Sequence, residues 1–415
     1  MAFKGKNVLV LGSGTSGKGA AYVLSAAGAN VTQDETDGLP KGMQNYDLAV
    51  ISPGIHRDHP VYKFAAEHDL PLLGEIGLGA IYNKAPVLGV TGTNGKTTVV
   101  SMLGAIYAAA GIKAEVCGNI GRSFARTAYD CEYERAIIEL SSFQLMQSAP
   151  LKVHIACITN ISEDHLDYHG TMLEYRHAKL RIADGQTRDD YLVVPRRFNL
   201  VGMRGDPTVM RMGDECREDQ GALYVLGDKI MDVGELNVKG SHNVTNALAA
   251  ALMARLDGVP ADAIRKGLSA FRAGSHRIAP VGVYDGASFF NDSKGTNIAA
   301  TLAAAECMTG NTALIVGGSD KGYDYDDLFR GLPANVTAVF VTGANAPRIM
   351  SGAARLGYRS VTECACLGEA VRRAASGGFD SVLFSPASAS FDRYANYAER
   401  GEAFEREVKK LFGSV

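Results

Sequence analysis

Lys96 and Thr97 close the run Val87-Leu-Gly-Val-Thr-Gly-Thr-Asn-Gly-Lys-Thr-Thr98, and these residue types in this order suit phosphate chemistry. A buried strand leads into a Gly/Thr/Asn turn whose successive N–H groups can wrap phosphates. Lys96 can then reach the β and γ groups while the Thr97 hydroxyl takes Mg2+. Val90 stands five before Gly95, so the strict G-x-x-x-x-G-K pattern is not met. Strand, turn and Gly-Lys-Thr at a helix start nevertheless keep the chemistry of an ATP site, with Thr93, Asn94, Gly95 and Thr98 in the same stretch. Such a loop needs a carboxylate from a second strand for its metal. Glu139 ends Ala136-Ile-Ile-Glu-Leu140, where a buried acid is costly unless a cation meets it. Asn160-Ile-Ser-Glu-Asp-His165-Leu-Asp-Tyr-His169 follows the next strand and reads either as donors for a second divalent ion or as a solvated polar loop.

Another glycine turn lies nearer the start. Gly12-Ser-Gly14-Thr-Ser-Gly17 sits between a strand and a helix, and Asp34 follows at the distance of a ribose-binding acid. Alone, this turn fits a nicotinamide dinucleotide, another nucleotide, or a close-packed turn without ligand. Later, Phe289-Phe-Asn-Asp-Ser-Lys294-Gly-Thr296-Asn297 opens a helix, while Gly317-Gly-Ser-Asp-Lys321-Gly322 ends a strand. Leu383-Phe-Ser-Pro-Ala-Ser-Ala-Ser390-Phe-Asp392 ends another. Each loop by itself reads as helix N-cap chemistry. Together they form a rim of Lys, Ser and Thr suited to an acidic small molecule.

The elements that must hold these loops are legible in the pattern. Short apolar runs closed by glycine, such as Val8-Leu-Val-Leu-Gly12, Ala313-Leu-Ile-Val-Gly317 and Val339-Phe-Val-Thr-Gly343, alternate with Ala-rich helical stretches. That alternation predicts an α/β chain with parallel sheets, whose ligands bind at the carboxyl ends of the strands. A length of 415 residues exceeds one core. Asn83-Lys-Ala-Pro86 reads as a linker, so three domains are expected over 1–84, 85–271 and 272–415, with peripheral hairpins from Asp184 to Val238. The net charge of -3, with no Lys/Arg block, argues against nucleic acid and anionic membranes as partners. Seven scattered cysteines read as reduced thiols of a cytoplasmic protein. No signal-like start and no run of roughly 18 apolar residues is found, so export and membrane spanning are not expected.

Seven motifs then occur in order: Thr91-Gly-Thr-Asn-Gly-Lys-Thr97, Glu139-Leu-Ser-Ser-Phe-Gln144, Glu163-Asp-His165-Leu-Asp167, Gly240-Ser-His-Asn243-Val-Thr-Asn246, Ser275-His-Arg277, Asn291-Asp-Ser-Lys294, and the Leu383 to Asp392 stretch. This combination, spread over almost the whole chain, resembles the Mur ligases, and among them the type that adds D-glutamate to UDP-N-acetylmuramoyl-L-alanine.

The resemblance implies an N-terminal Rossmann-like domain for the UDP part, a central P-loop ATPase and a C-terminal Rossmann-like domain for the amino acid. It also implies an ATP-dependent amide ligation in peptidoglycan synthesis, through an acyl phosphate. Carried over residue by residue, it gives Gly12, Gly14, Thr15, Ser16, Gly17, Asp34 and Asn119 to the UDP substrate. Thr93 to Thr98, Asn243, Asn246, Arg277 and Asp292 go to ATP, and Lys294, Thr296, Lys321, Ser390 and Tyr397 to D-glutamate. Thr97, Glu139 and His165 are implied to hold two Mg2+ ions. Lys179 matches a lysine that CO2 converts to a carbamate, whose oxygens can reach a metal; on residue type alone it reads as a solvated helix lysine. For the general base, His165 and a phosphate oxygen both stand open. A monomer is expected.

Two rival readings remain on sequence. One is a folylpolyglutamate-synthase-like ligase, against which residues 1–84 argue. The other is an NAD-dependent dehydrogenase, which gives Lys96 and Glu139 no role. The chain also departs from the resembled pattern at Met146, where an acid is common. The short stretch after Asp34 bears on the uracil contacts.

Overall fold

A computed structural model describes residues 3–147, 151–320 and 322–413. The chain forms two compact units: Met1–Asn237 with Asn243–Phe271, and Val238–His242 with Arg272–Val415. The chain passes between the units after Asn237, His242 and Phe271.

The first unit holds two sheets. β1 (Asn7–Leu11), β2 (Asn30–Asp34), β3 (Leu48–Ile51) and β4 (Leu72–Gly74) pair in the order β2-β1-β3-β4, all parallel. The fully buried runs of β1 and β3 explain why they read as unbroken apolar strings rather than alternating ones. The helix Thr15–Ala26 follows β1 directly, so the turn Gly12–Gly17 sits at the carboxyl edge of this sheet.

β5 (Val87–Thr91) lies inside the larger sheet, flanked by β7 (Arg135–Glu139) and β8 (Ile155–Ile158), with β6 (Ala114–Gly118) beyond β7, all parallel. Outward from β8 come β9 (Tyr191–Pro195), β10 (Thr208–Met212), β11 (Cys216–Asp219), β12 (Ala222–Val225) and β13 (Asp228–Asp232). The stretch expected as hairpins is therefore mixed. β9 and β10 extend the parallel sheet, and only β11, β12 and β13 make the antiparallel meander. The surrounding Asp, Arg and Gly residues obscured the regular part, although Leu192, Val193 and Val194 of β9 are fully buried in the middle of the sheet.

The second unit carries one sheet, in the order β14 (Ala279–Tyr284), β15 (Ala287–Asn291), β19 (Ser381–Phe384), β16 (Thr312–Val316), β17 (Val336–Val341), β18 (Val361–Glu363). All but β14 run parallel. β15, β19 and β16 are neighbours, which puts the three loops of the expected rim side by side. The helix Tyr397–Phe412 matches the amphipathic segment read at the carboxyl terminus.

Candidate active site

Parallel strands end on one edge, and that rule assembles the site of the first unit. The turn after β5, the end of β7, the turn after β6 and the loop after β8 all lie on the same edge. Within the β5 turn, Gly92 (φ +143) and Gly95 (φ +85) take conformations that L side chains rarely adopt. A Cβ on Gly95 would also lie 2.4 Å from Oδ1 of Asn246, which reaches the turn from the helix Ser241–Leu256 and whose Nδ2 donates to Asn243 Oδ1 at 3.4 Å. The β8 loop braces the turn: Asn94 N–H donates to Asn160 Oδ1 at 3.0 Å, Thr159 Oγ1 donates to Asn94 O at 2.6 Å, and Thr93 Oγ1 donates to Ser162 O.

Lys96 begins the helix Lys96–Ala109, and its Nζ donates to Gly92 O and Thr93 O, both at 2.8 Å. The ammonium is thereby folded back over the turn that would hold phosphates. Thr97 Oγ1 donates to Glu139 Oε2 at 2.7 Å, and Asn119 Nδ2 donates to Glu139 Oε1 at 2.8 Å. Glu139 is 3 % exposed, so the strand-end acid read from sequence is buried, and both its oxygens are engaged. Thr98 is buried on the inner side of the same helix.

Lys179 is the largest departure from its residue type. It lies on the helix Met172–Leu180, is 1 % exposed, donates to Gly92 O at 2.8 Å and stands 4.5 Å over the Tyr175 ring. Burial, and then the charge of Lys96, push its ammonium well below the ordinary lysine range. The solvated-lysine alternative fails on this burial. Tyr175, whose hydroxyl lies 3.2 Å from Thr93 Oγ1, was not singled out from sequence. Its i, i+4 spacing to Lys179 on one helix face was the available signal.

His165 caps the short helix Leu166–His169 in a left-handed conformation (φ +54) and packs edge-on against Phe143. Its backbone N–H and ring both face the buried Asp164 carboxyl. Buried His169 was also unassigned; it holds Ser142 Oγ at 2.9 Å and so ties this helix to the segment after β7.

The glycine turn after β1 divides its labour. A Cβ on Gly17 would lie 2.0 Å from Gly12 O, and one on Gly12 2.7 Å from Ser52, so these two are required by packing. Gly14 meets nothing within 4 Å and lies exposed beside Thr15, with Ser16 next to it at the open helix start. Packing therefore does not account for Gly14; open space at a helix start suits a phosphate. Asp34 ends β2 on the same edge. Its Oδ1 accepts from Thr36 N at 2.7 Å and Thr36 Oγ1 at 2.6 Å, which hold the carboxyl below its usual range.

In the second unit, Asp292 is buried, accepts from Ser385 Oγ at 2.7 Å and from Ile278 N–H at 3.2 Å, and is pushed up to about 7 by burial. Arg277 sits in the adjoining segment and raises the local positive potential. Lys294 Nζ lies 4.1 Å over the Tyr397 ring; Thr296 is half-buried on the same loop and Ser390 is buried at the end of the β19 loop. Lys321 falls outside the described residues. Arg400, unassigned from sequence, is 2 % exposed and donates to the carbonyls of Ser388, Ala389 and Ser293.

Among the described residues no group of three or more His, Cys, Asp or Glu could hold a metal, no helix is long and apolar enough to cross a membrane, and all seven cysteines are free.

A family model for the Mur ligase middle domain matches residues 90–254. The UDP-N-acetylmuramoylalanine--D-glutamate ligase of Thermoanaerobacter pseudethanolicus is 35% identical over 453 residues, covering 99% of this chain and 100% of that one. Among solved structures, MurF from Acinetobacter baumannii aligns with a TM-score of 0.65 at 18% identity over 99% of this chain and 91% of its own. Folylpolyglutamate synthase of Mycobacterium tuberculosis, complexed with ADP and AMPPCP, aligns with a TM-score of 0.62 at 19% identity over 82% of this chain and 95% of its own. At such identities these two structures speak for the fold alone. The near-complete match in sequence, the middle-domain model and the phosphate turn of β5 converge, and the chain belongs to the Mur ligase family, among the UDP-N-acetylmuramoylalanine--D-glutamate ligases.

Proposed function

We propose that this chain joins D-glutamate to UDP-N-acetylmuramoyl-L-alanine with ATP, a step of peptidoglycan synthesis in a bacterial cytoplasm, and does so as a monomer. The observation that carries the reading is the gathering of Lys96, Thr97, Glu139 and Lys179 around one strand-end turn.

A carboxylate is a poor electrophile. Its oxygen attacks the γ-phosphorus of ATP, ADP leaves, and an acyl phosphate results. The amine of D-glutamate then attacks the acyl carbon, the C–O bond to phosphate breaks, and the amine sheds its proton as the amide forms. Negative charge gathers at phosphoryl oxygens in both steps, so catalysis is chiefly positioned positive charge and donors. Lys96 supplies this at the β5 turn. His165 or a phosphate oxygen receives the proton.

Mg2+ fits the donors at hand, since it takes few protein oxygens and fills its shell with water and phosphate. Thr97 and Glu139 would hold one ion, and His165 with a carbamate on Lys179 a second; such ions offset phosphate charge. Lys179 suits that modification because only a neutral amine adds to CO2, and its surroundings disfavour the ammonium. We assign Gly12 through Gly17, Asp34 and Asn119 to the UDP substrate. Asn243, Asn246, Arg277 and Asp292 are assigned to ATP, and Lys294, Thr296, Lys321, Ser390 and Tyr397 to D-glutamate. On this reading the chain has three functional domains, 1–84, 85–271 and 272–415.

The test is phosphate release with ATP, Mg2+ and UDP-N-acetylmuramoyl-L-alanine across D-glutamate, L-alanine, L-lysine and diaminopimelate. Release with D-glutamate alone is expected. Release with another amino acid, or none with any, overturns the assignment.

A further inference from the structure

Asn345 sits at the junction of three strand-end loops in the second unit and is fully buried. Its Oδ1 accepts from Gly318 N–H at 2.8 Å, while its Nδ2 donates to Tyr325 OH at 2.6 Å and Ser388 Oγ at 2.5 Å. Its backbone N–H returns to Gly318 O. One amide group thus joins the loop after β16, the loop after β17 and the loop after β19.

The three loops have almost no freedom besides that amide. A Cβ on Gly317 would lie 1.6 Å from Thr342 O, one on Gly343 2.5 Å from Gly318 N, and one on Gly318 2.2 Å from Ala389 O. Ser319 N–H also donates to Ala389 O. A fully satisfied buried polar group fixes one arrangement, because every alternative leaves an orphaned donor or acceptor. An apolar side chain of equal size would fill the space without choosing a register.

We propose that Asn345 is a positioning residue for the amino-acid site: by clamping Ser388 to Gly318, it sets where Ser390, two residues on, meets the incoming amino acid. The inference rests on the D-glutamate reading above. Asn345 touches no reacting atom; it acts through Ser388.

The experiment compares Asn345→Leu, Tyr325→Phe and Ser388→Ala with the unaltered protein, reading KM for D-glutamate, ATP and UDP-N-acetylmuramoyl-L-alanine separately. N345L is expected to raise KM for D-glutamate roughly tenfold or more, leaving the other two within about twofold. Y325F and S388A each remove one partner of Nδ2 and should raise the same constant by a smaller factor. If N345L does not fold, the two milder variants decide alone. An unchanged KM for D-glutamate, or an equal rise in all three constants, overturns the proposal. An unaltered protein that ignores D-glutamate would overturn the functional reading instead.

Discussion

Lys96 and Lys179 donate to the same oxygen, the carbonyl of Gly92, each at 2.8 Å. Two ammonium groups on one acceptor repel, and Lys179, the more buried, gives way. Replacing Lys179 by Ala or by Arg, which cannot be converted to a carbamate, should lower phosphate release by roughly 100-fold or more. Added short-chain carboxylic acids are expected to restore part of the alanine variant's rate and none of the arginine variant's.

Lys96→Ala removes the ammonium proposed to meet the developing phosphoryl charge. A rate loss of roughly 10²–10³-fold is expected, with circular dichroism and melting temperature measured alongside to separate lost chemistry from lost folding.

Glu139→Gln keeps the shape of a side chain bound by Thr97 and Asn119 but removes its charge. Titrating activity against Mg2+ should show a half-saturation roughly tenfold higher or more. Unchanged Mg2+ dependence would remove Glu139 from the metal role.

Gly14→Ala and Gly17→Ala should separate the two jobs of the first glycine turn. G17A forces a methyl into Gly12 O and is expected to cost about 1–3 kcal/mol in urea unfolding. G14A meets open space, so stability should hold while KM for the UDP substrate rises.

Glu75, 2 % exposed, is pushed up to about 7 by burial, although the N–H of Ala125 (2.6 Å from Oε1) and the Ser123 hydroxyl pull it back. Its ordinary value of 4.5 applies once the chain unfolds. The folded group binds its proton more tightly. Stability from this site is therefore complete below about pH 4.5 and is lost as pH rises to about 7, by up to about 3 kcal/mol. Denaturant unfolding of Glu75→Gln should show a flatter pH profile in that window.

The strands and the phosphate turn were legible because apolar runs, glycines and Gly-Lys-Thr are local signals. β9 and β10 were not, since the Gly-, Asp- and Arg-rich residues around them do not distinguish sheet extension from hairpin. Lys179 shows the sharper limit: only the fold tells that a lysine on a short helix is sealed under a glycine turn. Arg400 and Asn345 were invisible for the same reason, as Ser293 and Ser388, which they respectively bond, lie in loops far along the chain from them.

The meeting of Gly317, Gly318 and Gly343 with neighbouring main chain leaves a seam that offers no side chains to vary. On the proposed amino-acid site, divergence toward another amino acid would therefore be written outside the seam, at Lys294, Thr296, Lys321, Ser390 and Tyr397. Anyone retargeting the ligase has those five places to redesign and should treat the seam as fixed ground.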